Sequence, residues 1–291
     1  MLGGKARLPA VPASILYSSA RVPADMQKAR SADADLYLVD LEDSVPPDER
    51  PRAREEVARY LDGPINLERT AVRINPLSTV DYCADVLMLL AQKARPGFVF
   101  MTMVDDPAEV VCLRRALDGV GWTPRIYGTI ETVCGVQKVD ALAAALDGMI
   151  LGSADLAASL GIDISDVGLR RAREAMMLAA AGAGIGCIDT GNFRLGDAQA
   201  LASEIREAQA LGFHGKGTVH PKELAAINAA FRPDPQATAQ ARRVCDAYTA
   251  ARGGVCMLDG NMIGPPFARL AQLRLRRAEA WAAEFSEEDG T

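Results

Sequence analysis

The feature that most constrains the fold is the alternation of short apolar runs with amphipathic segments along most of the chain. Between the apolar runs lie segments whose apolar residues are three and four positions apart, as at 51–61, 81–94 and 197–212, a spacing typical of helices. Strands that alternate with helices indicate parallel βαβ units. The apolar runs predict eight strands, at 14–19, 36–42, 70–75, 97–104, 125–131, 148–153, 186–190 and 215–220.

Eight such units are the number that a (β/α)8 barrel needs, and that fold typically occupies about 250 residues. A doubly wound open sheet is the alternative, but its phosphate-binding turns are missing: no GxGxxG follows the first predicted strand, and GxxxxGK[ST] does not occur. We therefore predict an α/β protein with a (β/α)8 TIM barrel over residues 1–231. A linker is predicted at "RPDPQATAQ" (232–240), within a C-terminal helical extension over 232–291. The extension is expected to cover the barrel bottom or to pack on a neighbouring subunit.

Composition narrows the class of partner. The net charge of −6 argues against binding to nucleic acid, which needs a concentrated basic surface. No apolar run of 18 residues occurs, so a membrane partner is not expected. The six cysteines are scattered without a CxxC pair, which favours reduced thiols over a zinc site or a disulfide framework. Together with an N-terminus unlike a signal peptide, this composition predicts a cytoplasmic protein.

Polar residues cluster where the predicted strands end, and in a barrel these ends converge on one mouth. The stretch "YLVDLEDSV" (37–45) places three carboxylates there. Alternation along the strand predicts that Asp40 and Glu42 face the mouth and that Asp43 points the other way, into a turn. The strand-end residues are Ser18, Ser19, Asp40, Glu42, Asp43, Arg73, Asn75, Thr102, Glu131, Ser153, Asp155, Asp189, Lys216, Thr218 and His220.

Crowded carboxylates repel one another, and a divalent cation offsets that repulsion. Glu131 and Asp155 follow neighbouring strands, a pattern that suits Mg2+ with water and substrate oxygens in the remaining positions. The alternative is that each carboxylate caps the helix that follows it. Arg73 has two compatible interpretations: an ion pair with Asp40 or Glu42, or a clamp on a substrate carboxylate or carbonyl group.

These residues lie in stretches that resemble one family, the citrate lyase β-subunit-like branch of the HpcH/HpaI aldolase superfamily, which includes malyl-CoA and citramalyl-CoA lyases. The matching stretches are "DLEDSVPPDE", "VRINP", "IETVCGV", "LGSADLAASLG" and "ALGFHGKGTVHPKELAAINAAF". The resemblance implies a homo-oligomeric barrel, often a trimer or hexamer. It also implies Mg2+ bound by Glu131 and Asp155, and an Arg73 that contacts the keto-acid part of the substrate. Asp40 and Glu42 support Arg73 in this scheme, and Gly152, Ser153 and Ala154 are expected to contact the substrate.

Two departures from the family pattern affect the expected site. Relatives carry a catalytic Asp in a C-terminal "DGxMID" segment, whereas this chain reads "DGNMIG", with Gly264 at that position. Asp259 of the same segment remains as a catalytic candidate. The Pro-Gly turn that usually ends the first strand is also replaced, by "YSSARVPAD", which leaves Ser19 and Arg21 as candidates for thioester binding.

The resemblance implies a Mg2+-dependent carbon–carbon lyase. Such an enzyme cleaves or forms a 3-hydroxyacyl thioester of the malyl-, citramalyl- or citryl-CoA type. Its partners are a 2-keto acid and an acyl thioester of CoA or a carrier protein. One alternative is a relative with altered chemistry, a thioester hydrolase or a free-acid aldolase, because of Gly264. Another is a low-activity subunit of a citrate-lyase-like complex, although the charged residues at the strand ends are intact.

Overall fold

The computed structural model describes residues 9–164 and 166–286, which divide into two compact units. The first unit is Pro12–Phe231, and the second comprises residues 232–286 with residues 9–11. In the first unit, eight parallel strands form a closed barrel in which each strand pairs with the next and the eighth pairs with the first. The strands are β1 (Ser14–Ser19), β2 (Leu36–Asp40), β3 (Thr70–Arg73), β4 (Phe98–Met101), β5 (Arg125–Ile130), β6 (Gly148–Leu151), β7 (Gly186–Asp189) and β8 (Gly215–Thr218).

Helices follow the strands, so the predicted (β/α)8 barrel is confirmed. Short 3-10 turns at Leu67–Arg69 and Pro221–Glu223 complete the first unit. Its helices are α1 (Pro23–Ala29), α2 (Arg50–Leu61), α3 (Val80–Ala91), α4 (Pro107–Asp118), α5 (Val133–Gln137), α6 (Val139–Ala145), α7 (Ser153–Leu160), α8 (Asp166–Ala183), α9 (Ala198–Leu211) and α10 (Leu224–Phe231).

Strand β4 shows why these sequences form a barrel wall. Val99 and Met101 belong to the main apolar cluster, which also contains Leu113 of α4. Phe98 and Phe100 point to the opposite face, where their rings lie 5.6 Å and 5.0 Å from the Tyr127 ring. Because successive side chains alternate and both faces are buried, the strand is apolar throughout.

The second unit contains helix α11 (Pro235–Ala250), an antiparallel hairpin of β9 (Cys256–Leu258) and β10 (Asn261–Ile263), and helix α12 (Pro265–Phe285). The predicted linker at 232–240 is shorter than expected, because only residues 232–234 lie outside the helices and α11 begins at Pro235. Asp234 accepts hydrogen bonds from the backbone N–H groups of Gln236 and Ala237, and Pro235 occupies the first turn, where proline is tolerated. The division into two domains, and packing of the second on a neighbouring subunit, stay predictions.

No helix among residues 9–164 and 166–286 has the length and hydropathy needed to span a membrane.

The barrel wall contains buried charges between β7, β8 and the helices outside them. Lys216 is 0% exposed, and its Nζ lies 3.1 Å from Asp189 Oδ2 and 3.1 Å from Glu204 Oε2. Arg173 Nη2 lies 2.9 Å from Asp189 Oδ1. Asp189 and Lys216, predicted to face the barrel mouth, therefore belong to an ion network in the wall.

We expect Asp189→Ala to destabilise the barrel by roughly 3–5 kcal/mol, because Lys216 and Arg173 would each lose a buried counter-ion. Urea unfolding followed by circular dichroism measures this change. Asp118→Ala is the control, since Asp118 is exposed at the end of α4. A free energy of unfolding for Asp189→Ala equal to that of the control would contradict the prediction.

Candidate active site

The carboxyl ends of the barrel strands open into a cavity of about 830 Å³ within the first unit. It lies where active sites of this fold are found. Many of the residues predicted from the sequence line it: Ser19, Asp40, Arg73, Glu131, Gly152, Ser153, Ala154 and Asp155. Thr218 and His220, also predicted at strand ends, line it as well. The barrel therefore brings these separate sequence stretches together.

Arg73 and Asp40 form a bidentate ion pair in the cavity. Arg73 donates from Nε to Asp40 Oδ1 at 2.6 Å and from Nη2 to Asp40 Oδ2 at 2.7 Å. The two residues are register partners on β3 and β2, so strand pairing sets this contact. Burial opposes ionisation of Asp40, but Arg73 outweighs it and lowers the pKa of the carboxyl group below its usual value. The pair is thus ionised, and the ion-pair interpretation of Arg73 is confirmed.

Glu42 supports Arg73 from another side. Its Oε2 lies 2.8 Å from Arg73 Nη1, although that oxygen has no hydrogen-bond partner in the described structure. Burial raises the pKa of Glu42 to about 7, against the opposing effect of Arg73. Glu42 contacts the guanidinium that lines the cavity, so its predicted position beside Arg73 is confirmed.

Asp43 faces the cavity, which corrects the prediction that it points away. Its side chain is 63% exposed, and Oδ2 lies 3.8 Å from Arg73 Nη1. The reason is that β2 ends at Asp40, so the alternation of a strand stops before residue 43. The chain turns there instead: Asp40 accepts hydrogen bonds from the N–H groups of Glu42 and Ser44.

The loop after β2 is fixed by a buried network behind Arg73. Asn75 donates from Nδ2 to the Leu41 carbonyl oxygen at 3.0 Å and to Asp85 Oδ2 at 2.8 Å. Arg54 Nη1 donates to the other oxygen of Asp85 at 3.0 Å. Asn75 therefore holds the backbone beside Glu42, and its amide lies in this network and does not line the cavity.

Glu131 is the most deeply buried carboxylate that lines the cavity. It follows β5, is 2% exposed, and accepts a hydrogen bond of 2.7 Å at Oε1 from the N–H of Met103. Burial raises its pKa to about 8, and the negative charges of Glu42 and Asp155 add to this effect. Gly152 makes room for it, since a Cβ at that position would overlap Glu131 Oε2 and lie 2.5 Å from Glu131 Cβ. The site thus keeps a carboxylate that favours its proton unless a cation is near.

Asp155 lies in the first turn of α7 and lines the same cavity. Burial and the charge of Asp43 raise its pKa. Neither Asp155 nor Glu131 serves as a helix N-cap: Gly152 precedes α7, and Thr132 caps α5 by accepting a hydrogen bond from the N–H of Gly135. The capping alternative is therefore wrong for both carboxylates.

Three further residues predicted for the site make hydrogen bonds or ion pairs within the protein: Ser19, Arg21 and Asp259. The Ser19 hydroxyl, which lines the cavity, donates to the Ser44 carbonyl oxygen at 3.0 Å. The Arg21 side chain is half exposed and pairs with Glu49 at 2.8 Å, so its role in thioester binding stays a prediction. Asp259 lies in the second unit, in the turn between β9 and β10, where it pairs with Arg243 at 2.7 Å. That bond lowers the pKa of Asp259, and a catalytic role for it also stays a prediction.

The structure adds cavity residues that were not predicted from the sequence. Tyr17 lies two positions before Ser19 in β1, so the alternation of strand side chains was a usable signal for it. Phe193 and its neighbours belong to the loop after β7, and no pattern in the sequence marks them. Asn192 in this loop donates to Glu223 Oε1 at 2.9 Å, and Thr218 donates to the other Glu223 oxygen at 2.7 Å.

We expect the metal-free protein to become less stable as pH rises from about 5 to 8.5. A raised pKa means that Glu131 contributes stability at low pH, which is lost as pH rises through its folded-state value of about 8. Thermal unfolding in the presence of EDTA at pH 5.5 and 8.5 measures the difference. Glu131→Gln should flatten this dependence, and an unchanged slope in that variant would contradict the prediction.

The sequence is similar to that of known proteins over the stretch that contains these site residues. Residues 13–221 match the family model of HpcH/HpaI aldolase/citrate lyase. A citrate lyase subunit beta-like protein of Mycobacterium tuberculosis is 32% identical over 274 residues, covering 90% of this chain and 94% of that protein. The L-malyl-CoA/beta-methylmalyl-CoA lyase of Cereibacter sphaeroides is 28% identical over 301 residues, covering 92% and 95%.

The similarity extends to three-dimensional structure. The crystal structure of protein CitE from Mycobacterium tuberculosis, in complex with magnesium, acetoacetate and coenzyme A, superposes with a TM-score of 0.76 at 31% identity. The match covers 93% of this chain and 98% of that one. The fold and the sequence comparisons agree, and the relatives are named as a malyl-CoA lyase and a citrate lyase beta-like protein. The chain therefore belongs to the HpcH/HpaI aldolase/citrate lyase family and is an enzyme of the lyase class.

Proposed function

We propose that the protein is a Mg2+-dependent carbon–carbon lyase that cleaves or forms a 3-hydroxyacyl thioester of the malyl-, citramalyl- or citryl-CoA type. Its cleavage products are a 2-keto acid and an acyl thioester. The observation that carries this proposal is the presence of Glu131 and Asp155 beside the fixed cation Arg73 in one cavity. Relatives named as a malyl-CoA lyase and a citrate lyase beta-like protein support the substrate class.

The donor set fits Mg2+. Five carboxylates surround a single guanidinium group here: Asp40, Glu42, Asp43, Glu131 and Asp155. Within the described ranges, Glu131 and Asp155 have no basic side chain within 4.0 Å, and the pKa of each is raised. A bound dication would relieve both effects.

The number of protein ligands also fits. Mg2+ commonly uses one or two carboxylates and fills its other positions with water and substrate oxygens. Glu131 and Asp155 would hold it. When bound, Mg2+ supplies Lewis-acid polarisation of the keto oxygen.

Arg73 is suited to stabilise negative charge on the substrate. Two of its five N–H donors are used in hydrogen bonds to Asp40, and Nη1 lies 2.8 Å from Glu42 Oε2, which leaves the second N–H of Nη2 and the outer N–H of Nη1. Because Asp40 fixes the guanidinium, no reorientation is needed when charge develops on a substrate oxygen as the carbon–carbon bond breaks. The first-turn N–H groups of Ser153 and Ala154 in α7 have no partner within the helix and suit the carboxylate of a keto acid.

Cleavage also needs a group that accepts the hydroxyl proton of the substrate. Asp40 is committed to Arg73, and Glu42 is buried against Nη1 of the same guanidinium. Asp43 does reach it and lies 3.8 Å from Arg73 Nη1. We place Asp43 in this role because it is a carboxylate with open access to the position beside Arg73. The other product, an acyl-thioester carbanion equivalent, takes up a proton after the bond breaks.

Calorimetric titration with pyruvate, oxaloacetate and glyoxylate, with and without Mg2+, tests the proposed function. We expect at least one keto acid to bind only when Mg2+ is present. Glu131→Ala should abolish that binding, whereas Glu55→Ala should leave it unchanged, because Glu55 is exposed on α2. Metal-independent binding, or no binding by the wild-type protein, would contradict the proposal.

The products of the reaction distinguish a lyase from a hydrolase. With malyl-CoA or citramalyl-CoA as substrate, we expect a keto acid and an acyl-CoA, and no free thiol. Asp43→Asn should lower kcat by about 10²-fold or more, since it removes the proposed proton acceptor while keeping the shape of the side chain. A stoichiometric release of free thiol, detected with a thiol reagent, would favour the hydrolase alternative instead.

A further inference from the structure

We propose that the phenol hydroxyl of Tyr17 is a further substrate-binding donor in this cavity, which donates a hydrogen bond to a substrate oxygen beside Arg73. The inference rests on the proposed function, because it requires a ligand that presents anionic or carbonyl oxygens. It adds a neutral donor to a site whose chemistry is otherwise set by charged groups. Tyr17 is thereby a catalytic residue in the sense that it touches the substrate.

The tyrosine ring is held in place from two sides. The Arg73 Cζ lies 5.5 Å from the ring centroid, a distance typical of a cation–π contact. On β8, a Cβ at Gly217 would lie 3.2 Å from Tyr17 Cε2, so the ring packs against the space that this glycine leaves. Tyr17 therefore lies at a fixed position next to the guanidinium that is proposed to bind the substrate.

The hydroxyl has no hydrogen-bond partner among residues 9–164 and 166–286, although Tyr17 lines the cavity. A tyrosine whose ring lies in a protein interior usually finds a partner for its O–H group. Since the surrounding side chains supply none, and the oxygen is not among the buried unpaired atoms, the hydroxyl is open to a ligand in the cavity. No step of the proposed lyase reaction uses the Tyr17 hydroxyl.

The hydroxyl acts as a donor because it keeps its proton. Burial raises the pKa of Tyr17 far above its ordinary value against the opposing effect of Arg73, and the charges of Asp40, Glu131 and Glu42 act in the same direction as burial. The carboxylate and carbonyl oxygens of a keto acid are acceptors only. A protonated phenol beside Arg73 thus complements the ligand without adding charge.

Tyr17→Phe tests the inference, because it removes the hydroxyl and keeps the ring over Arg73. Calorimetric titration with oxaloacetate at saturating Mg2+ should show binding weakened roughly 10–100-fold, the range expected for a hydrogen bond to a charged group. Tyr60→Phe is the matched control, since Tyr60 is a buried tyrosine of α2 in the main apolar cluster. Thermal unfolding of Tyr17→Phe should match that of the wild-type protein, and titration with Mg2+ alone should give an unchanged affinity.

The possible outcomes separate this inference from the proposed function. If the wild-type protein binds no keto acid in the presence of Mg2+, both are overturned. Equal oxaloacetate affinity in Tyr17→Phe and wild type overturns the role of the hydroxyl alone. Weakened binding of Mg2+ itself also overturns it, because the hydroxyl would then act on the metal site and not on the substrate. A loss of affinity for the keto acid, with unchanged affinity for Mg2+, supports the inference.

Discussion

The site depends on the bidentate contact between Arg73 and Asp40. Parallel pairing of β2 and β3 places the two residues opposite each other, so the same strand pairing that builds this part of the barrel also assembles the ion pair. A single guanidinium then faces more negative charge than it can neutralise. The raised pKa values of Glu42 and Glu131 follow from burial under this imbalance.

Such an excess of negative charge opposes folding, and other parts of the barrel offset it. Two buried networks in the barrel walls contain their own counter-ions. One joins Lys216, Asp189 and Arg173, and another joins Asn75 and Asp85 to Arg54. The charges at the cavity are thus left under-compensated, while the charges in the barrel walls are paired. This contrast distinguishes a binding site from a scaffold made of the same residue types.

Much of the fold was predictable from the sequence, because strand alternation and helix spacing are local properties. All eight strands were found, and the partners of Arg73 followed from their positions at strand ends. The errors arose where local rules stop applying. Asp43 was misplaced because β2 ends three residues earlier, and Asp189 was misplaced because its partner Arg173 comes from α8. Long-range packing of that kind leaves no periodic signal.

The loop after β7 has a consequence for how the enzyme can change over time. Thr190 is held through its carbonyl oxygen by Lys216 at 2.7 Å, and Asn192 is held by Glu223, so the loop is anchored without help from the Arg73 cluster. Phe193 projects from this anchored loop and contributes an apolar part of the cavity wall. Natural selection, or a directed-evolution library, can vary this side chain while the charged groups stay as they are. A change of this side chain therefore alters the apolar part of the cavity wall without altering the contacts of Arg73.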